Sequence, residues 1–226
     1  MLRLIGDIHG NIERYVQAIG TATETIQLGD FSTEDDFDLD FGIEQGGYHY
    51  ILLGNHDNYT KVIEGYGISV NRCGSEGRFN LVGFGRIGTS AGDVFYVSGA
   101  ESVDKNQRTL NHDWWPEEQL TFSQARSALT SWEKSTTNIV ISHDGPSRVL
   151  DMMYNRPPYK WSDQDSRHQP SFTQQLLDAM LDIRMPSLWV FGHHHRSEKI
   201  HIGGTTFICL DEGETLDLHY DETANT

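Results

Sequence analysis

The stretch VFGHHHRSEK, from Val190 to Lys199, decides the fold that this sequence predicts. A short apolar run ends at a glycine, and three histidines follow it directly, His193, His194 and His195. In an extended segment alternate side chains point the same way, so His193 and His195 can reach into one site while His194 points elsewhere. The stretch therefore predicts a strand that ends in a functional loop, provided that other strands of the chain end in the same way.

Four other apolar runs also end in residues that bind metals or carry out catalysis. They lead into GDIHG with Asp7 and His9, GD with Asp30, GNHD with Asn55, His56 and Asp57, and SHDGP with His143. Each motif alone is weak, because Gly, Asn and Asp favour ordinary turns and a lone histidine is more often structural. Sites in open α/β sheets form outside the carboxyl ends of the strands, so the ordered set predicts one shared crevice. Glycines that permit close backbone approach stand beside these residues, at Gly6, Gly29, Gly54 and Gly192.

Strands and helices alternate along the chain, which predicts an α/β fold of sheets covered by helices. The buried strands are predicted at Leu2 to Ile5, Thr25 to Leu28, Tyr48 to Leu53, Asn138 to Ile141 and Leu188 to Phe191. Helices are predicted at Asn11 to Ile19, Phe122 to Lys134 and Ser171 to Asp182, the second with a capping box at Thr121 and Gln124. Further strands are predicted in FNLVGF, DVFYVSG, KIHIGGTTFICL and TLDLHY. We expect one domain over residues 1–220 and a flexible tail over residues 221–226.

The bulk composition limits the partners and the compartment. The chain has 226 residues, a net charge of −16 and two cysteines, Cys73 and Cys209. Because nucleic acids and membrane surfaces are polyanionic, we expect neither a membrane partner nor a stable nucleic-acid partner. The cysteines form no close-spaced pair, and no apolar run at the N-terminus is long enough for a signal peptide or a membrane span. We therefore expect a cytoplasmic protein.

The series Asp-x-His, Gly-Asp, Gly-Asn-His-Asp, His and Gly-His-x-His resembles the signature of the calcineurin-like metallophosphoesterase superfamily. The resemblance implies an α/β fold in which a two-sheet β-sandwich is flanked by helices and holds two divalent metal ions. It implies the following metal ligands: Asp7, His9 and His195 for one ion, Asn55, His143 and His193 for the other, and Asp30 as the bridge between them. His194 is predicted to support or border the site rather than to bind metal.

Hydrolysis of a phosphate ester by two metal ions explains why carboxylate, amide and imidazole ligands are needed. A pair of ions roughly 3.5–4 Å apart lowers the pKa of a bridging water and holds a phosphate group for in-line attack. The mixture of carboxylate, amide and imidazole suits Mn, Fe, Co, Ni or Zn, and manganese is the ion we expect. By resemblance, His56 is the catalytic histidine beside the leaving oxygen, and Asp57 orients it and favours its imidazolium form. Asp144 is expected to lie outside the catalytic set.

Two long segments, 98–118 and 152–168, are candidate lids. The first resembles a block found in bacterial and phage metallophosphoesterases, and it combines Lys105 and Arg108 with the pair Trp114 and Trp115. Cations and aromatic rings in an acidic chain suit a lid over a phosphorylated substrate, so Lys105 and Arg108 are the predicted substrate-binding residues. The alternative is an ordinary surface loop whose tryptophans pack on the sheet. The sequence favours neither.

The stretch GDIHGN resembles the serine/threonine protein phosphatases, but two departures argue against that activity. The run GDFSTEDDFD lacks the Asp-Arg-Gly of that branch, and Asp57 stands where the branch generally has Glu. We therefore expect an enzyme that hydrolyses a small phosphate mono- or diester by direct attack of a metal-bridging hydroxide. A protein phosphatase and a non-catalytic metal-dependent binding scaffold are the alternatives.

Overall fold

Two sheets form the centre of the protein in a computed structural model that describes residues 1–31, 47–66, 71–73, 78–154 and 169–219. The strands of the first sheet are, in spatial order, β12 (Thr215–Leu218), β1 (Leu2–Ile5), β2 (Glu24–Gln27), β3 (Tyr48–Leu52), β5 (Arg78–Leu81) and β4 (Asn71–Cys73). The four central strands are parallel, and β12 and β4 are antiparallel to their neighbours at the two edges. The carboxyl ends of β1, β2 and β3 therefore lie side by side.

The second sheet has the same arrangement. Its strands are, in spatial order, β10 (Glu198–Ile202), β11 (Thr205–Cys209), β9 (Leu188–Phe191), β8 (Ile139–Ser142), β7 (Gly92–Val97) and β6 (Phe84–Thr89). The four central strands are parallel, with β10 and β6 antiparallel at the edges. The predicted two-sheet α/β sandwich is confirmed.

The two sheets pack face to face through a shared apolar layer. Leu4, Ile26 and Leu52 of the first sheet are fully buried in one cluster with Ile141 and Val190 of the second. Neighbouring residues along each strand point to the opposite face of the sheet, where the helices cover them. This packing brings the carboxyl ends of strands from both sheets to the same region of the molecule.

Five helices in the described residues cover the outer faces of the sandwich. They are α1 (Ile12–Ile19), α2 (Tyr59–Tyr66), α3 (Phe122–Lys134), α4 (Ser147–Tyr154) and α5 (Phe172–Ile183). A capping box at Thr121 and Gln124 begins α3, as predicted, and a second at Ser171 and Gln174 begins α5. Trp132 of α3 and Leu177 of α5 are buried in one cluster on the second sheet.

The five buried strands predicted from the sequence are all present, as β1, β2, β3, β8 and β9, with ends that differ by at most one residue. The elements α2, α4 and β4 were not predicted, and FNLVGF, predicted as a strand, contains most of β5 but only the first residue of β6. None of the described helices is long and apolar enough to cross a membrane. Residues 155–168 of the second candidate lid and the predicted tail, 221–226, lie outside the described residues.

Candidate metal centre

The first group of potential ligands joins the loop after β1 to the loop after β9. Nε2 of His195 lies 3.3 Å from Oδ2 of Asp7 and 2.8 Å from Nε2 of His9. The Asp7 oxygen and the His9 nitrogen are 3.9 Å apart. Asp7 is buried, His9 is half-buried and His195 is exposed, so the group opens to solvent on one side. The structure therefore brings these three predicted ligands together.

The second group joins the loops after β2, β3, β8 and β9. Nε2 of His143 lies 3.3 Å from Oδ1 of Asp30 and 3.1 Å from Oδ1 of Asn55. The His193 ring packs against the His143 ring with centroids 4.9 Å apart. Asp30, Asn55 and His143 are buried, and His193 is half-buried. The remaining four predicted ligands are thus also brought together.

The spacing of these atoms fits divalent ions. Two ligand atoms about 2.1 Å from one ion lie about 3.0 Å apart at a right angle and about 3.4 Å apart at a tetrahedral angle. The Asp7–His195 contact of 3.3 Å and the two contacts of His143, 3.3 and 3.1 Å, lie in that range. The separations of His9 from His195 and from Asp7, 2.8 and 3.9 Å, lie on either side of it. Asp7, His9 and His195, and likewise Asp30, His143 and His193, can each direct one ligand atom to a common point. The carboxylate, amide and imidazole donors suit a first-row transition metal.

Backbone amides tie the ligand loops to one another. The carboxylate of Asp7 accepts the backbone N–H of His193 at 3.0 Å, and the backbone carbonyl of Asp30 accepts that of His9 at 2.8 Å. Oδ1 of Asp30 accepts the backbone N–H of His56 at 2.8 Å. Asp30 therefore contacts the loop after β1 through its backbone carbonyl, and the loops after β3 and β8 through its carboxylate; its bridging role stays a prediction.

The backbone is strained at the potential ligands. Five described residues other than glycine have a positive φ, and four of them are predicted ligands: His9 at 48°, Asp30 at 52°, His193 at 65° and His195 at 48°. Left-handed backbone costs an L-residue about 1–2 kcal/mol and concentrates at functional sites. The fold therefore holds these side chains in place against a local conformational preference.

Two glycines are required by the closeness of the loops. A Cβ atom at Gly54 would collide with Asp30 and with Nε2 of His143. One at Gly192 would collide with a carboxylate oxygen of Asp7. Neither position can accept a larger residue without moving a potential ligand.

Neighbouring acceptors fix which nitrogen of two histidines faces the centre. Nδ1 of His143 lies 2.8 Å from the backbone carbonyl of Leu28, which can only accept, so Nδ1 carries the proton. Nδ1 of His195 lies 3.3 Å from Glu212, and Glu212 is held by Arg14 at 2.6 Å. In both histidines Nε2 is the nitrogen left for a metal ion.

The charge state of the second group reflects its burial. Burial lowers the pKa of His193 to about 3, which keeps this imidazole neutral and able to bind a cation. Burial also acts to lower the pKa of His143, but the charge of Asp30 and the hydrogen bond to it raise that pKa to about 10. Burial would raise the pKa of Asp30, and the charge of His143 instead holds it below its ordinary value. The buried Asp30 carboxylate thus requires a positive partner, which an imidazolium or a metal ion can supply.

His194 contacts a different carboxylate from its two neighbours. Its Nε2 lies 3.0 Å from Oδ1 of Asp144, and the same oxygen accepts the backbone N–H of Gly145 at 2.8 Å. Burial would raise the pKa of Asp144, but the hydrogen bond from His194 and nearby charges lower it to about 2. Asp144, His193 and His194 are close enough to share an ion. Since Oδ1 of Asp144 already has these contacts, the geometry better suits a supporting role.

His56 lies beside the first group and against Arg108. Its ring centroid is 5.4 Å from that of His9, and its two nitrogens are 3.3 and 3.2 Å from Nη1 and Nη2 of Arg108. Arg108 is held by Asp104 at 2.7 Å and by the backbone carbonyl of Asp113 at 3.1 Å. Burial, and in part the charge of Arg108, lowers the pKa of His56 below its ordinary value although the charge of Asp30 opposes this. This direction runs against the imidazolium form that the resemblance implies.

Asp57 and Lys105 have contacts that their predicted roles did not include. The carboxylate of Asp57 is buried and accepts backbone N–H groups from Phe31 at 2.9 Å and Gly54 at 2.7 Å. It thereby joins the loops after β2 and β3, and its support of His56 stays a prediction. Of the two predicted substrate-binding residues, Arg108 contacts the catalytic candidate, His56, and Lys105 forms an ion pair with Glu101.

A tryptophan anchors the segment 98–118, which agrees with the alternative of a surface loop whose tryptophans pack on the sheet. Trp115 is buried in one cluster with Leu53, Tyr59 and Val82, and its Nε1 donates to Thr60 at 3.1 Å. The same segment also carries Arg108 to His56. It therefore combines features of both alternatives.

Two residues of the same segment are linked to the potential ligand Asn55, Ser102 directly and Glu118 through Ser102, although no sequence signal marked them. Nδ2 of Asn55 donates to Oγ of Ser102 at 3.1 Å, and Oγ of Ser102 donates to Glu118 at 2.7 Å. Neither residue belongs to a motif or a periodic element. Glu212, which contacts His195, was missed for the same reason.

Carboxylates and histidines that converge at the carboxyl ends of parallel strands define an α/β sandwich protein with a candidate centre for divalent metal ions. The sequence matches the family model of the calcineurin-like phosphoesterases over residues 2–197, and the chain belongs to this family. The predicted recognition is confirmed, and family membership supports a metal-dependent phosphoesterase. A search of curated proteins finds no match to the sequence.

Two solved structures illustrate the shared fold. Phosphopantetheinyl hydrolase from Mycobacterium tuberculosis is 15% identical with a TM-score of 0.54, and the match covers 94% of this chain and 89% of that one. A Staphylococcus aureus protein assigned as a 5′-nucleotidase, in complex with alpha-ketoglutarate, is 13% identical with a TM-score of 0.53. That match covers 94% of this chain and 48% of the other. At such identities the likeness concerns the fold alone.

Proposed function

We propose that this protein is a dinuclear metal-dependent phosphoesterase that hydrolyses a small phosphate mono- or diester. One observation carries the proposal. Two groups of potential ligands, Asp7 with His9 and His195, and Asp30 with His143 and His193, lie at the carboxyl ends of the strands, and His56 contacts both His9 and Arg108 beside them. A binding scaffold would need the ligands, but it has no need for a histidine and an arginine at the same opening.

The potential ligands divide between two ions. Asp7, His9 and His195 would hold one, Asn55, His143 and His193 the other, and Asp30 would contribute to both. When bound, a pair of divalent ions lowers the pKa of a coordinated water and neutralises phosphate charge. Manganese is the proposed ion, with Fe, Zn, Co and Ni as alternatives.

Arg108 and His56 would act on the phosphate ester itself. Asp104 and the Asp113 carbonyl already orient the Arg108 guanidinium, so little further ordering is needed for it to clamp a phosphate oxygen. His56 would donate a hydrogen bond or a proton to the leaving oxygen. Lys105 would reach the substrate only by exchanging Glu101 for a phosphate oxygen.

The charge of the chain bears on the choice of substrate. A net charge of −16 favours a small phosphorylated substrate over a nucleic acid; a cytoplasmic location is part of the proposal. The names of the two structural neighbours suggest phosphopantetheinyl compounds and nucleoside monophosphates as the first natural substrates to test.

The test uses protein stripped of metal and reloaded with manganese. Hydrolysis of a chromogenic monoester, the matching diester and a phosphopeptide is measured for the wild type, His56→Ala and Arg108→Ala. We expect ester hydrolysis that depends on metal and falls about 10²–10⁴-fold in His56→Ala. His201→Ala, an exposed histidine on β10, is the matched control and should keep wild-type activity. No hydrolysis by reloaded wild type, or an unaffected His56→Ala, would refute the proposal, and selective hydrolysis of the phosphopeptide would favour the protein phosphatase.

A further inference from the structure

Three side chains form a hydrogen-bonded chain that ends at Asn55. Glu118 is only 1% exposed and accepts both the backbone N–H of Ser102 at 2.8 Å and its hydroxyl at 2.7 Å. Oγ of Ser102 in turn accepts Nδ2 of Asn55 at 3.1 Å. At its other end, Oδ1 of Asn55 lies 3.1 Å from Nε2 of His143. A buried carboxylate on the segment 98–118 is thereby connected to a proposed metal ligand.

The direction of these hydrogen bonds follows from the donors available. A serine hydroxyl has one proton. Burial raises the pKa of Glu118 above its ordinary value, and the two hydrogen bonds from Ser102 oppose that shift; in its ionised form the carboxylate can only accept. Ser102 therefore gives its proton to Glu118 and can only accept from Asn55. Because the NH₂ group is the one donor of the Asn55 side chain, that end must face Ser102. The amide oxygen is then directed toward His143.

The orientation matters because the two ends of an amide have nearly the same shape but opposite chemistry. Oxygen has lone pairs that bind a cation, whereas the amide nitrogen presents protons. Packing alone discriminates weakly between the two rotamers, so hydrogen bonds must select one of them. Asn55 would bind a metal ion only in the orientation that Ser102 imposes.

We propose that Glu118 and Ser102 are positioning residues that hold the amide oxygen of Asn55 toward the metal position. This inference rests on the proposed dinuclear function and extends it to two residues outside every sequence motif. Ser102 and Glu118 also join the two ends of the segment 98–118, because the backbone N–H of Ser102 donates to the Glu118 carboxylate. A test must therefore separate orientation of the amide from a loss of structure.

The substitution Glu118→Gln separates the orientation of the Asn55 amide from a loss of structure in the segment. The Gln side chain has the same size, but its NH₂ group can donate to Ser102. The Ser102 proton is then free to point at Asn55, which favours a flipped amide with nitrogen toward the metal position. We expect affinity for one of the two ions to fall about 10–100-fold, the range found when a residue that supports a metal ligand is lost. Glu117→Gln, at the exposed neighbouring position, is the control and should bind both ions as the wild type does.

A second substitution distinguishes a flipped amide from a distorted loop. Asn55→Asp presents oxygen at both ends of the side chain, so its orientation no longer matters. We expect the double variant, Glu118→Gln with Asn55→Asp, to regain the affinity that Glu118→Gln alone loses. Metal stoichiometry is measured by elemental analysis and affinity by calorimetry, each with Mn²⁺ and with Zn²⁺. Wild-type affinity in Glu118→Gln, or failure of Asn55→Asp to restore it, would overturn the proposal.

A measurement without metal keeps the inference separate from the proposed function. In ¹⁵N-labelled protein with EDTA, the side-chain amide signal of Asn55 is assigned by its absence in Asn55→Asp. We expect this signal to move in Ser102→Ala and in Glu118→Gln, and to stay in place in Glu117→Gln. If the wild type binds fewer than two ions and the Asn55 signal still moves in the two variants, the dinuclear function is refuted and the positioning role stands. An unmoved signal in either variant would refute the positioning itself.

Discussion

We predict that Asp57→Asn destabilises the protein by about 2–4 kcal/mol, whatever its effect on catalysis. The Asp57 carboxylate is buried, and its two oxygens accept backbone N–H groups from Phe31 and Gly54 at 2.9 and 2.7 Å. Asparagine has the same shape but only one oxygen. Its NH₂ group must therefore face one of two backbone donors.

The magnitude follows from the hydrogen bond that is lost. A hydrogen bond to a charged acceptor contributes about 1.5–3 kcal/mol, and a buried N–H group without an acceptor costs about 1–3 kcal/mol. The two figures overlap in part, because both include the desolvation of the same N–H group. A total of about 2–4 kcal/mol is therefore expected for one lost bond. The loops after β2 and β3 should loosen together, since Asp57 joins them.

The assay is urea unfolding of metal-free protein at neutral pH, followed by tryptophan fluorescence. Measuring without metal keeps ion binding out of the free energy of unfolding. Asp93→Asn makes the same chemical change at a side chain that is 53% exposed and paired with Arg86 at 3.9 Å. It should cost less than about 1 kcal/mol. The slope of the free energy against urea should be the same for wild type and both variants.

One result would refute this reasoning. If the free energy of unfolding of Asp57→Asn lies within about 0.5 kcal/mol of the wild-type value, the two backbone hydrogen bonds do not stabilise the protein. If it also loses phosphoesterase activity, then Asp57 acts through His56, as the resemblance to the family implies.

Three further predictions concern the ligand loops, the tryptophan that anchors the segment 98–118, and the bound ions. Gly54→Ala should abolish metal binding at the second group, measured as metal content, because its Cβ would collide with Asp30 and His143. Gly88→Ala is the control and should retain both ions, because a Cβ atom at Gly88 would lie 3.6 Å from the nearest atom. Trp115→Ala should lower the free energy of unfolding by about 3–5 kcal/mol in urea titrations, since it empties a buried cluster; a cost below about 1 kcal/mol would contradict the anchoring role. Stripping the metals with EDTA should lower the thermal midpoint, as each ion present at 100 times its Kd contributes about 2.7 kcal/mol, and an unchanged midpoint would argue against bound ions.

The elements that the sequence predicted well are those whose burial is visible locally. LWVF is a continuous apolar run and LRLI is apolar except for Arg3, because central parallel strands are covered on both faces, and both strands were predicted at their observed ends. The capping box at Thr121 likewise marked the start of α3. In contrast, α2 and α4 were not predicted. They have eight residues each, as α1 does, but they follow closely on the motifs GNHD and SHDGP, which were predicted to form loops.

The candidate site was predictable where chemistry is tied to the end of a strand. Each potential ligand follows a predicted strand, so the shared edge of the sheets brings them together without further information. Arg108, Ser102 and Glu118 were a different case, because their contacts with His56 and Asn55 depend on the path of an irregular segment. Sequence alone pointed to Arg108 through its charge, and nothing pointed to Ser102 or Glu118.

The long sequence separations within the sandwich have a consequence for the nascent chain. His9 and His195 are 186 residues apart, and β1 pairs along one edge with β12, Leu2 opposite Leu218. While the ribosome is still making residues before 193, the emerging polypeptide has Asp7 and Asp30 but lacks two of its histidines. Such distant pairings form slowly, since the intervening chain must first be brought together. Both groups of potential ligands are therefore complete only after β9 has been made and its sheet has packed against the sheet that contains β1.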